Sequence, residues 1–144
     1  MTKEGESKDS PFVTMTQPKD SQALKGKSGL RRLINAFGYS REGIASAYAT
    51  EEAFRQECWL AIIGIPLAFI LPVPLLHSLA LAAAILFLLI VEILNSAIEA
   101  AIDRIGSEIH PLSKKAKDLG SAAVLFACAL CALTWGCILW NAFL

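Results

Sequence analysis

The chain has 144 residues, 55 % hydrophobic and 18 % charged, with 13 basic and 13 acidic residues cancelling to a formal charge of zero. That length makes a single domain the prior, and the balance excludes a strongly basic nucleic-acid-binding surface. The averages conceal a pattern. The 34 residues between Glu57 and Glu92, and the 26 from Leu119 to Leu144, hold no Asp, Glu, Lys or Arg, and apolar runs of about 18 or more read as membrane spans.

Residues 1–29 are polar, rich in Lys, Ser, Thr, Gly and Pro, and are expected to be a disordered extension. They lack the apolar core of a cleavable signal peptide. Gly26-Lys27-Ser28 imitates the end of a phosphate-binding loop, but Ser21 stands where that motif needs its first Gly and no apolar strand precedes it. The remainder, 30–144, reads as the membrane domain.

From about 30 to 49, Leu30, Leu33, Ile34, Phe37, Ile44, Ala47 and Tyr48 recur near helical period among Arg31, Arg32, Arg41 and Glu42. This suits an amphipathic helix on the membrane surface, interrupted at Gly38. A first span is expected over about 51–71, with Thr50 as N-cap, a kink at Pro66, and a stop at Pro72 and Pro74. A second runs over about 75–106. At ~1.5 Å per residue it is ~45 Å long, against a hydrocarbon core of ~30 Å, so its last turns project beyond the bilayer. A charged loop with Pro111 leads into a third span over about 113–140. The basic residues flank the loop between the second and third spans and the segment before the first, which puts the amino terminus and that loop in the cytoplasm and the carboxy terminus outside. Trp59 and Trp140 fall near opposite membrane faces as anchors. Cys58, Cys128, Cys131 and Cys137 all lie in or beside apolar runs. With no second pair, the Cys128–Cys131 CxxC is expected to be small packing residues, not a redox or metal site.

Polar residues break into the second span in one register. In VEILNSAIEAAIDRIGSE, Glu92, Asn95, Ser96, Glu99 and Asp103 follow one another at steps of one, three or four, which gathers them on one helix face. Glu92 lies 14 residues past Ser78, roughly 21 Å along the axis and so in the inner half of the bilayer. A carboxylate there costs about 2.5–3.5 kcal/mol on insertion scales, which makes it a functional candidate by default. Asp103 and Glu108, nearer the cytoplasm, read equally well as solvated charges, and Asn95 as inter-helix hydrogen-bonding glue. In EEAFRQE, Glu51 and Glu57 begin the first span on the same side, so Glu51, Glu92 and Glu99 are expected at one depth. Gathered carboxylates suit Mg²⁺, which takes one or two of them plus substrate phosphates. A further one can accept a hydroxyl proton. Lys117, Asp118 and Arg32 add charges of the kind that phosphoryl transfer needs around a polyphosphate.

AFGYS, EEAFRQE, VEILNSAIEAAIDRIGSE and KAKDLGSAAVL, in this order over about 30–144, resemble the small bacterial integral-membrane diacylglycerol kinases. The resemblance implies an all-α fold of three transmembrane helices plus an amino-terminal surface helix. It also implies a homotrimer with shared active sites in the bacterial inner membrane, and transfer of the γ-phosphoryl of MgATP to diacylglycerol to give phosphatidic acid. Carried over residue by residue, it implies Glu92 as catalytic base and Glu51 and Glu99 as metal ligands. Nucleotide contacts fall on Arg32, Tyr39, Glu51, Asn95, Glu99, Asp103, Glu108, His110, Lys117 and Asp118. Lipid contacts fall on Arg32, Ser40, Ala53, Phe54, Arg55, Gln56, Glu57, Glu92 and Ser121. Asn35 replaces a Lys found in part of the family, and Arg41 stands where an aromatic can occur. Two rivals explain parts of the pattern. An undecaprenol kinase would share the fold and the acidic helix. A small proton-coupled multidrug transporter would use Glu92 but leave Glu51, Glu99, Asp103, Lys117 and Asp118 without a role.

Overall fold

The structure, a computed structural model, describes residues 29–105 and 110–143. They form four helices: α1 (Gly29–Thr50), α2 (Glu52–Ile70), α3 (Leu75–Ile105) and α4 (Pro111–Phe143). The last three are each long and apolar enough to cross a membrane, so the chain is an all-α membrane protein. The expectation for residues 1–28 and for Glu108 lies outside the described residues. The described residues divide into two units between Tyr39 and Ser40. The packing below concerns the second.

Helix boundaries follow local chemistry, and several depart from expectation. α1 runs unbroken through Gly38, because one interior glycine costs only about 1 kcal/mol. Thr50 is the last residue of α1, not the N-cap of α2. Its hydroxyl donates to the Ser46 carbonyl (3.1 Å) and to Glu51 Oε1 (3.0 Å), the back-bonding that competes with capping. Glu51 takes the N-cap position in an extended conformation and makes no side-chain cap. The junction is held instead from the other side: Arg55 Nη1 donates to the carbonyls of Tyr48 and Ala49, both at 3.2 Å, satisfying orphan acceptors at the end of α1. α2 continues through Pro66, and its end at the Pro72–Pro74 turn is the one expected. α4 begins two residues early, at Pro111, a residue suited to a first helical position because its missing N–H would have no partner there. The imidazole Nδ1 of His110 accepts from the Leu112 N–H at 3.2 Å and caps it.

α3 is the central element, packed against α2 on one side and α4 on the other, while among the described residues α2 and α4 do not pack backbone to backbone. Most buried apolar residues accordingly lie on α3: Leu81, Ala82, Ala84, Ile85 and Leu88. Ala68 of α2 and Ala127 and Cys131 of α4 are the small residues set against them. In lipid, helices associate through close packing more than through the hydrophobic effect, which favours such small side chains. Large apolar residues such as Ile63, Ile70, Leu76, Phe126 and Leu133 are exposed on the outer faces, as suits surfaces turned to lipid or to other subunits.

A buried acidic site between α2, α3 and α4

Two close approaches set the register of the three spans. At Gly64 of α2, a Cβ would lie 2.6 Å from Ile85 Cδ1 of α3. The helices are antiparallel, so seven residues back from Gly64 stands Glu57, and seven forward from Ile85 stands Glu92. On the other side, a Cβ at Gly120 of α4 would overlap the Asn95 side chain, and deeper along the same pair Trp135 Nε1 donates to the Leu81 carbonyl at 3.2 Å. Gly64 therefore lets α2 close on the apolar half of α3, and Gly120 lets α4 close on its polar stretch.

Glu92 is 4 % exposed, a charged group shut between helices inside a membrane span. Glu57 faces it closely enough for the two like charges to interact, and Glu57 Oε2 is fully buried without a hydrogen-bond donor. Glu92 also feels the charges of Glu99 and Glu51. The same register puts Glu51 level with Ile98 and Glu99, so these two share a depth, whereas Glu92 lies about two turns deeper, at ~1.5 Å per residue some 10 Å away. The single depth expected for all three carboxylates resolves into two layers.

Hydrogen bonds tie the stripe together. Ser96 Oγ donates to the Glu92 carbonyl (3.0 Å), and Asn95 Nδ2 donates to Glu99 Oε1 (3.2 Å). Asn95 Oδ1 is buried and unpartnered beside Gly120. Lys117 Nζ pairs with Asp103 Oδ1 at 2.5 Å and feels Glu99, and Lys114 pairs with Asp118 at 2.6 Å one turn away. Among the described residues no three His, Cys, Asp or Glu side chains assemble into a cage. Two carboxylates at one level, Glu51 and Glu99, are too few to close an all-protein metal site.

A sequence model of the prokaryotic diacylglycerol kinase family matches residues 38–139. The chain belongs to that family. It is 50 % identical to the diacylglycerol kinase of Pseudomonas aeruginosa over 116 residues, which cover 81 % of this chain and 94 % of that protein. With the Escherichia coli K12 enzyme it shares 47 % over 116 residues, 81 % of this chain and 95 % of that one. With the enzyme from Helicobacter pylori strain J99 it shares 42 % over 108 residues, 75 % and 84 % of the two chains.

Within this family member, the residues singled out from sequence do not all stand together. Glu51, Glu57, Glu92, Asn95, Glu99, Asp103 and Lys117 form the layered site just described. Asp118 turns to Lys114, and His110 caps α4. Phe54 is buried at 3 % exposure in the chain's own core and Arg55 closes the α1–α2 junction, while Ala53, Gln56 and Ser121 are exposed. Arg32 and Tyr39 are exposed on α1 within residues 1–39, and Ser40 is exposed at the start of the second unit. Sequence reasoning passed over Gly64 and Gly120. The available signal was a small residue opposite a polar or bulky one in an apolar helix.

Proposed function

We propose that this chain phosphorylates diacylglycerol to phosphatidic acid with MgATP at the cytoplasmic face of a bacterial inner membrane, as a homotrimer with shared sites. The observation that carries this reading is Glu92: a carboxylate almost wholly buried in a membrane span, beneath a second acidic layer. Diacylglycerol stays in the bilayer and ATP stays in water, so transfer has to occur where the span crosses the interface. Glu92 accepts the proton of the lipid hydroxyl as the hydroxyl oxygen forms its bond to the γ-phosphorus and the bond to the ADP oxygen breaks. Glu51 and Glu99 would hold Mg²⁺, whose positive charge would offset the charge on the phosphates. Lys117 and Arg32 are the cations assigned to the polyphosphate. Asn95 holds Glu99 in place, and Asp103 holds Lys117.

The names of the relatives favour diacylglycerol over undecaprenol. A proton-coupled transporter would leave the Glu51–Glu99 layer and the Lys117–Asp103 pair without work. The test is label transfer. Purified protein in lipid receives ATP labelled in the γ-phosphate, Mg²⁺, and either diacylglycerol or undecaprenol. Label is expected in phosphatidic acid. Label confined to the prenyl product would replace the substrate, and no lipid label would remove the kinase reading.

A further inference from the structure

Nothing in the sequence between Gly43 and Gly64 breaks a helix. The stretch holds no Gly or Pro, and AYATEEAFR over 47–55 is rich in strong helix formers. The chain nevertheless breaks at Glu51, whose φ of −101° and ψ of 118° are extended. The helical ladder stops at the Glu51 N–H, bonded to the Ala47 carbonyl at 2.8 Å, and resumes at the Arg55 N–H, bonded to the Glu51 carbonyl at 3.3 Å. Among the described residues, the amides of Glu52, Ala53 and Phe54 donate to no carbonyl of α1. A continuous helix would offer the Tyr48 carbonyl to Glu52 and the Ala49 carbonyl to Ala53. Both carbonyls are taken instead by one side-chain nitrogen, Arg55 Nη1, at 3.2 Å each.

We propose that Arg55 is a positioning residue for Glu51: by occupying these two carbonyls it keeps α1 and α2 from fusing into one helix, an inference that rests on the reading of Glu51 as a Mg²⁺ ligand above. Closing the ladder would swing ψ of Glu51 from 118° to about −42°, turning its side chain relative to α2. Arg55 prevents this without occupying the carboxylate. Among the described residues neither ion pair involves Glu51, and its Oε1 accepts from the Thr50 hydroxyl at 3.0 Å. A guanidinium bonded to Glu51 itself would compete with a metal ion, whereas one bonded to two carbonyls leaves the ligand open. Groups that orient a metal ligand are typically worth about 10–100-fold in metal affinity.

The test replaces the arginine's work with a proline. Glu52 is exposed and is the first residue of α2. A proline there has no N–H to give the Tyr48 carbonyl, suits a first helical position, and holds the preceding residue extended at a ψ of about +120 to +160°. Wild type, Arg55→Ala, Glu52→Pro and the double variant are compared in lipid. R55A is expected to raise the Mg²⁺ concentration for half-maximal rate about tenfold. Mn²⁺ binding in the presence of a non-hydrolysable ATP analogue, followed by electron paramagnetic resonance, should weaken by the same factor. Amide exchange at Ala53 should slow as its N–H joins the ladder. E52P alone should change none of these, and adding E52P to R55A should return all three to the wild-type values. If R55A raises KM for diacylglycerol and leaves both metal titrations unmoved, Arg55 is a lipid contact and the proposal falls. If metal binding weakens and E52P does not restore it, Arg55 acts by some route other than the helix break, and the proposal falls as well. An R55A protein that assembles only with E52P added supports the proposal, and one that assembles in neither form overturns it. A wild type that transfers no phosphate to diacylglycerol removes the kinase reading, whereas Mn²⁺ binding and amide exchange still decide the role of Arg55.

Discussion

Gly64 and Gly120 perform the same operation at two depths of the bundle, with opposite consequences. Each removes a Cβ so that a flanking helix can close on α3. At Gly64 the neighbour is the methyl end of Ile85 and the ring of Trp135, and the contact is apolar packing. At Gly120 the neighbour is Asn95, whose Oδ1 is left buried without a donor while its Nδ2 holds Glu99. A buried unpaired acceptor costs on the order of 1–3 kcal/mol. Tolerating that at the shallow contact and not at the deep one marks where packing yields to chemistry. The deep half of the bundle sets register and the shallow half spends stability on a site.

The largest expected effect lies at the boundary between the two halves. Glu92→Gln keeps the shape of the side chain and removes its basicity, so turnover should fall by about 10²–10⁴-fold, the usual worth of a general base. Oligomeric state by cross-linking and ATP binding by filtration should be unchanged. Turnover within tenfold of the parent would withdraw the base assignment. Next come the glycines themselves. Gly120→Ala should push Asn95 aside and with it Glu99, lowering kcat/KM by about 10²-fold, as a displacement near 1 Å does at a positioned site. It should also raise the Mg²⁺ concentration for half-maximal rate. Glu99→Gln should shift that Mg²⁺ titration in the same direction by removing the proposed ligand outright. Gly64→Ala meets only the flexible end of Ile85. It should destabilise by about 1–3 kcal/mol, as overpacking does, and leave the Mg²⁺ titration where it was. If G64A and G120A move the titration equally, the division between a packing half and a chemical half is wrong.

How much of this was legible beforehand follows from which physical signal each feature leaves. Charge-free runs announce membrane spans loudly, and the three spans, the Pro72–Pro74 turn and the single polar face of α3 were all readable. Helix ends were less so, because capping is decided by atoms competing at one residue. Thr50 has the right side chain for an N-cap, yet its hydroxyl finds the Ser46 carbonyl first, and the junction is secured by Arg55, five residues on. The pairing of Glu57 with Glu92 was not legible at all. It depends on the register of α2 against α3, fixed by Gly64 and Ile85, and nothing in either helix alone encodes that alignment.

The smallest expected effect separates two roles that fall on one residue. His110 was assigned to the nucleotide by resemblance, and its Nδ1 caps the Leu112 N–H at the start of α4. α4 carries Lys117 and Asp118 two turns later, so a frayed first turn would loosen Lys117 and mimic a lost nucleotide contact. His110→Ala removes the cap, at about 1 kcal/mol, and should slightly raise KM for ATP. His110→Asn restores a strong capping side chain without an imidazole. If Asn returns both thermal stability and KM to the parent values, His110 acts through the helix and is a positioning residue. If stability returns and KM stays high, the imidazole itself meets the nucleotide. The pair of variants thus decides whether the shallow half of the bundle extends its chemistry to the very start of α4 or only anchors it there.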